Sequence, residues 1–159
     1  MPYHNIFKKI LFYTNFSDHD EKAFFYALNI ARGNPESELL IYHVIPEPDA
    51  QFWKSYIYEV EEIDDKAKHD IDLKIEEVYA KHIPKGLKWS TKFEIGHPDQ
   101  KILETAKNEE TDLVILGRQG KSSFGSRLLG DFTEHIARKS PCPIMIIPEK
   151  HADSDLSEF

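Results

Sequence analysis

The sequence predicts an α/β domain, an open parallel sheet with helices on both faces. Three observations predict it. Short apolar runs without helical spacing alternate with amphipathic helical patterns along the chain. Glycine or proline punctuates most of the boundaries between them. Each run but the last is followed by enough chain for a helical crossover, the connection that parallel strands require.

The first run, "KILFYTNF" (9–16), reads as a buried strand. "SDHD" (17–20) opens a helix, with Ser17 as cap and Asp20 where a capping box places an acid. Phe24, Ala27, Leu28 and Ala31 give that helix one apolar face, and Gly33 stops it. "ELLIYHVI" (38–45) is the second strand, closed by Pro46 and Pro48.

A long polar stretch follows. Val60, Ile63, Ala67, Ile71, Ile75 and Val78 mark one face of a long helix that Lys85–Gly86 ends. "KWSTKFEI" (88–95) is the third strand, and Pro98 suits the first turn of a helix carrying Ile102, Leu103 and Ala106 inward. "DLVILG" (112–117) is the fourth strand, "DFTEHIARK" (131–139) a helix and "CPIMIIP" (142–148) the fifth strand. The division is one domain over residues 1–148 and a polar tail over 149–159.

A chain of 159 residues with 40% hydrophobic and 30% charged content is large enough for a full core. A net charge of −8 and a pI near 5.5 argue against a general nucleic-acid or anionic-membrane surface. The single cysteine, Cys142, excludes an internal disulfide framework and suits a reducing compartment. The apolar stretch after Lys8 and Lys9 is too short for a signal peptide, and no run approaches a bilayer span. A soluble, cytoplasmic protein is expected.

Chemistry concentrates after strand four, in "GRQGKSSFGSRLLGD" (117–131). A Walker loop ending at Gly120–Lys121–Ser122 would need its first glycine at Ile115, inside the strand, and Gly117, Gly120 and Gly125 miss dinucleotide spacing. What remains is a glycine-rich approach to a helix. Gly117 and Gly120 admit a ligand close to the backbone. The amides and dipole at the start of the 131–139 helix form an anion site. Arg118, Lys121 and Arg127 add positive charge. On spacing alone, a solvated glycine/serine connection is an equal reading.

The pattern Gly117-x2-Gly120-x9-Gly130 is similar to the nucleotide-binding motif of the universal stress protein family. "ILFYTNFS" resembles that family's first strand and turn, and "LLGDFTEHIARKSPCPIMIIP" its last helix and strand, over residues 6 to 148 in all. The resemblance implies a Rossmann-like fold with strand order 3-2-1-4-5, a cytoplasmic homodimer and, in one branch, ATP in the crevice at the strand-order reversal. ATP or another adenine nucleotide would then lie between the Thr14–Ser17 turn and the Gly117–Thr133 loop, ordering that loop. Val44 would end the strand whose backbone reads the adenine edge.

Two positions depart from the family's binders. Asn15 stands where they have Asp, keeping shape and an acceptor while losing charge. Asp131 stands after Gly130, where they have Ser or Thr. A carboxylate cannot donate to a phosphate oxygen. At ~4 Å, like charges repel by ~1 kcal/mol in water and ~4 kcal/mol at an effective dielectric of 20. Asp131-x-x-Glu134 also resembles a capping box. Three readings follow: a retained, weakened nucleotide site aided by Thr133; a nucleotide-free interaction protein with Asp131 capping the helix; and a phosphate-handling enzyme using Mg²⁺ at Asp131. No general base is evident, so hydrolysis is expected to be slow or absent.

Other residues are read more plainly. The eight histidines lack metal-ligand spacing, and His43 is expected to be packed or hydrogen-bonded. Cys142 reads as a small apolar residue, and Ser122, Ser123 and Ser126 as loop serines. Phe52, Trp53, Tyr56 and Tyr58 read as a lid over the sheet, with a border to the adenine pocket or a partner surface as the alternative. Strand five at the sheet edge, Cys142–Ile147, is expected to pair with its twin in a homodimer. A further regulatory protein partner is expected, of unknown identity.

Overall fold

The computed structural model describes residues 5–46, 60–118 and 131–148. Its elements run β1 (Lys9–Tyr13), α1 (Asp18–Arg32), β2 (Glu38–Pro46), α2 (Val60–Val78), a 3-10 turn (Ala80–His82), β3 (Lys88–Gly96), α3 (Pro98–Asn108), β4 (Leu113–Gly117), α4 (Asp131–Lys139) and β5 (Ile144–Ile147). The five strands form one parallel sheet, as the alternation predicts, in the order β3-β2-β1-β4-β5 that the resemblance implies. The aromatic group at 52–58, Gly120, Lys121, Arg127 and Gly130 lie outside the described residues, as do the side chains of Val60, Ile63, Ala67 and Asp131.

Period-two alternation divides the core between the two faces of the sheet. Ile10, Phe12, Leu39, Ile41, Leu113 and Ile115 face α1 and α2, where they meet Phe24, Ala27, Ala31, Ile71 and Ile75. Leu11, Tyr13, Tyr42, Val44, Val114 and Leu116 face α3 and α4, against Ile102, Ala106 and Ile136. Phe12, Phe24 and Tyr79 pack ring to ring at 4.8–5.6 Å, tilted or edge-on, as aromatic quadrupoles prefer.

Three boundaries differ most from the sequence reading, each for a local reason. β1 ends at Tyr13 rather than residue 16, because Phe16 turns into the left-handed region at φ 64°. α2 ends at Val78 and passes through the 3-10 turn, so Gly86, at φ 94°, launches β3 instead of ending the helix. β5 begins at Ile144, since Pro143 has no amide to give and contributes only its carbonyl, which accepts the Val114 amide at 3.0 Å.

Gly33 does follow α1, but at φ −78° it needs no left-handed freedom. Its role is space: an added Cβ would lie 2.5 Å from Asn5 Nδ2, which donates to the Ile30 carbonyl at 2.7 Å. Gly33→Ala is therefore expected to destabilise the protein by about 1 kcal/mol, the worth of the displaced hydrogen bond. In an Asn5→Ala background the same change should become neutral or stabilising, by the backbone-entropy effect of losing a glycine. Urea unfolding of the four proteins checks the sign reversal.

Candidate functional site

The ends of β1 and β4 define the site. Tyr13 pairs with Leu116 across the centre of the sheet. Beyond that pair the chain leaves β1 for α1 on one face, and leaves β4 for α4 on the other. Helices leaving adjacent strands on opposite faces mark the place, beyond the strands' carboxyl ends, where open α/β sheets bind ligands. The first turn of α4 borders it, for the Phe132 ring packs 5.7 Å from the Tyr13 ring.

On the β1 side a buried polar hub holds the turn. The Thr14 hydroxyl accepts the Phe16 amide at 2.9 Å and lies 2.5 Å from the Tyr79 hydroxyl and 3.3 Å from Asp20 Oδ2. A hydroxyl has one proton, so if Thr14 donates to Asp20, Tyr79 donates to Thr14. Asp20 Oδ2 also accepts the Asn15 amide at 2.7 Å, and Asn15 Oδ1 accepts the Ser17 amide at 3.0 Å. These bonds hold Phe16 in its left-handed conformation, which costs a side-chain-bearing residue roughly 1–2 kcal/mol. The Phe16 ring packs 4.8 Å from His43 in a tilted arrangement and carries Lys74 Nζ 5.5 Å above it.

The capping box read from "SDHD" is rearranged. Ser17 is the N-cap but makes no side-chain capping bond, and Asp20 reaches back to the Asn15 amide. The short turn brings that amide within reach of the third helical residue. Asp20 is fully buried, and among the described residues its Oδ1 has no hydrogen-bond partner. Burial raises its pKa against the pull of hydrogen bonds from Asn15, Thr14 and Ser17.

His43 is hydrogen-bonded, as expected from its place in a strand. The Thr14 carbonyl can only accept, so His43 Nδ1 carries a proton and donates at 2.8 Å. Burial, helped by the charge of Lys74, lowers the imidazole pKa against that bond, which leaves Nε2 an acceptor in the neutral ring.

The expected site residues divide clearly. Thr14, Asn15 and Gly117 sit at the ends of β1 and β4, with Asn15 exposed and Gly117 buried. The Thr14 side chain belongs to the hub rather than to the crevice. Val44 buries its side chain against α3 and α4, so its backbone is what it can present. Arg118 is exposed just beyond β4, its amide donating to the Ile147 carbonyl at 2.8 Å. Asp131 begins α4. Thr133, in the first turn of α4, is 1% exposed, and its hydroxyl has no partner among the described residues.

Sequence reading missed Tyr79 and the hub role of Asp20. Tyr79 lies 65 residues from Thr14 and just past a helix, so no local pattern marks it. A polar network also lies on the opposite face. The Tyr42 hydroxyl donates to Glu94 at 2.9 Å and accepts from Thr105 at 3.0 Å, and Lys92 and Lys101 flank Glu94. Cys142 is half-buried, and burial raises its thiol pKa, which disfavours a thiolate. Among the described residues no group of three His, Cys, Asp or Glu could hold a metal ion, and no helix is long and apolar enough to cross a membrane.

The model of the Universal stress protein family matches residues 6–148, nearly the whole chain. The chain belongs to that family. Universal stress protein MJ0577 of Methanocaldococcus jannaschii is 27% identical over 160 residues, covering 92% of this chain and 98% of its own. Among solved structures, the universal stress protein UspA of Lactobacillus plantarum superposes with a TM-score of 0.69 at 23% identity, over 91% of this chain and 99% of its own. A universal stress protein solved in complex with cAMP has a TM-score of 0.62 at 20% identity, over 90% and 98% of the two chains. The Archaeoglobus fulgidus universal stress protein, solved in complex with dAMP, has a TM-score of 0.59 at 14% identity, over 92% and 99%. At these identities the structures establish the shared fold.

Within this family member the hub should be ranked by what each deletion strands. Thr14→Val leaves the Phe16 amide and the Tyr79 hydroxyl without their partner, a loss expected near 2–3 kcal/mol. Tyr79→Phe removes one donor and strands little, at about 1 kcal/mol. Equal losses in chemical denaturation would contradict the donor order given above.

Proposed function

We propose that this universal stress protein binds an adenine nucleotide in the crevice and acts as a nucleotide-responsive regulatory homodimer. The observation that carries the reading is the Thr133 hydroxyl, buried and without a described partner in the first turn of α4. Buried polar groups normally find partners, and a helix start supplies amides and a favourable dipole for an anion. The Gly117-x2-Gly120-x9-Gly130 pattern leads into this turn, and the cAMP and dAMP complexes of two structural neighbours support the ligand class.

In this reading the phosphates lie toward Gly117, Gly120, Gly130 and Thr133, with Arg118, Lys121 and Arg127 screening their charge. The nucleoside lies toward Asn15 and the backbone of Val44. The connection from Gly117 to Thr133 presents the surface that a partner reads. Mg²⁺ would enter through Asp131 and the phosphates together, turning repulsion into coordination. The second reading, in which Asp131 caps α4 and no nucleotide enters, rests on that carboxylate. Pairing of β5 edges accounts for the dimer, because three of its four residues are only half-buried in the single chain.

Analysis of small molecules released from fresh protein, followed by ATP titration with and without Mg²⁺, tests the reading. A carried adenine nucleotide or binding below the millimolar range is expected. Asp131→Ser should tighten binding about tenfold or more and Thr133→Val weaken it about tenfold, each corresponding to ~1.4 kcal/mol. Protein that carries no nucleotide and binds none at millimolar ATP would overturn the proposal in favour of the capped helix. Sedimentation should give twice the 18.5 kDa chain mass, reverting to the monomer in Ile146→Lys.

A further inference from the structure

The hub beneath the β1 turn contains a group that binding does not require. Asp20 is fully buried at the start of α1, and although Ser17 lies near enough to help lower its pKa, the Asp20 Oδ1 makes no well-formed hydrogen bond among the described residues. A buried carboxylate with an unmatched oxygen is far more costly than a neutral carboxyl in the same place. The other oxygen ties the acid to the turn, through the Asn15 amide at 2.7 Å and the Thr14 hydroxyl at 3.3 Å.

The surroundings decide which charge state fits. Tyr79 beyond α2 lies in the same hub as a neutral phenol, held protonated by burial and by the charge of this carboxylate against the Thr14 hydrogen bond, and Tyr13, on the other face of β1, feels the same charge after its own burial. His43 of β2 reaches the Thr14 carbonyl, and burial keeps it neutral. Lys74 of α2 lies over the Phe16 ring. Glu21, the next residue on α1, is exposed, and its charge adds to the cost of ionising Tyr79. The described contacts give Asp20 hydrogen bonds but no cation pair.

We propose that Asp20 is a proton-operated positioning residue for the Thr14–Ser17 turn. Neutral, it sits in its dry pocket and holds Asn15 and Phe16 in the observed geometry. Ionised, its unmatched oxygen demands water or another donor, which draws the turn open and frees Phe16 from its left-handed conformation. The step is a single proton exchanged between the carboxyl and solvent. Because the turn carries Asn15, adenine-nucleotide affinity should follow this proton, a consequence that rests on the proposed function above.

The test begins without nucleotide. The Asp20 carboxyl carbon, followed by NMR in wild-type protein, should titrate well above the ordinary ~3.9 of an aspartate. The amides of Asn15, Phe16 and Ser17 should move with the same midpoint. In Asp20→Asn they should stay near their low-pH wild-type positions. The linkage has a definite sign. A carboxyl that holds its proton more tightly when folded contributes full stability below the ordinary carboxylate range, and this is lost as pH rises through the folded midpoint. The melting temperature of Asp20→Asn relative to wild type should therefore climb with pH. An ordinary carboxylate midpoint, or a turn titration that persists in Asp20→Asn and so belongs to His43, overturns the proposal.

A second arm measures ATP affinity against pH. Wild type should weaken roughly fivefold across the Asp20 midpoint, with ATP raising that midpoint by the same factor, and Asp20→Asn should be flat. Binding that ignores the midpoint overturns the coupling and leaves the proposed function standing. Absence of binding at every pH overturns the proposed function, while the nucleotide-free titration still decides the proton-operated turn.

Discussion

β1 is confined on four sides, and the rest of the structure follows from that confinement. Strands pair along both of its edges and helices cover both of its faces. Even its entry is tied down, with Asp112 Oδ2 accepting the Lys8 and Lys9 amides at 2.9 and 2.8 Å. A one-residue slip would exchange Ile10 and Phe12 with Leu11 and Tyr13, placing a phenol hydroxyl in the α1 face. A strand so held cannot curve gradually toward its helix. It must leave the sheet abruptly, within the few residues between Tyr13 and Asp18.

That abrupt exit explains why polar groups lie under the crevice. The turn carries part-buried amides beside the packed Phe12, Phe24 and Tyr79 rings, where water has little access. Each amide needs a protein acceptor. Thr14 and Asp20 supply them from the turn and the helix start, so the left-handed Phe16 is determined by several bonds at once. The arrangement concentrates a strained backbone and a titratable acid at one strand end. That end lies beside the amino-terminal turn of α4, where Phe132 touches Tyr13.

The order of elements was legible because each obeyed a local rule. The face of α1 formed by Phe24, Ala27, Leu28 and Ala31 is buried as its spacing requires, and α4 runs over the residues its pattern marks. Boundaries shifted where local backbone chemistry decided them, at Phe16, Gly86 and Pro143, while the reason for a correctly placed one lay far off in sequence. Gly33 looked like a conformational stop, but its function is to leave room for Asn5, 28 residues earlier. The site was half legible. Glycine spacing marked the approach to α4, whereas the hub could not be read, because Thr14, Asp20, His43 and Tyr79 meet through the topology. Asp20 even satisfied a local rule, the capping box, that the folded chain does not use.

The two edge strands of the described sheet are built differently, and the contrast bears on assembly. β3 carries Lys88, Lys92 and Glu94, with Lys92 bridging to Glu94 and Glu109 and Lys101 near Glu94. Charges of this kind oppose the approach of another strand, a usual protection for an edge. β5 reads IMII and contains no charged residue. Two copies meeting edge to edge through β5 would bury apolar side chains, whereas meeting through β3 would require stripping water from fixed ion pairs. The asymmetry is consistent with β5 as the edge of the proposed dimer. It also places the pairing beside β4, one strand from the end of β1, so the crevice and the proposed dimer edge share the same half of the sheet.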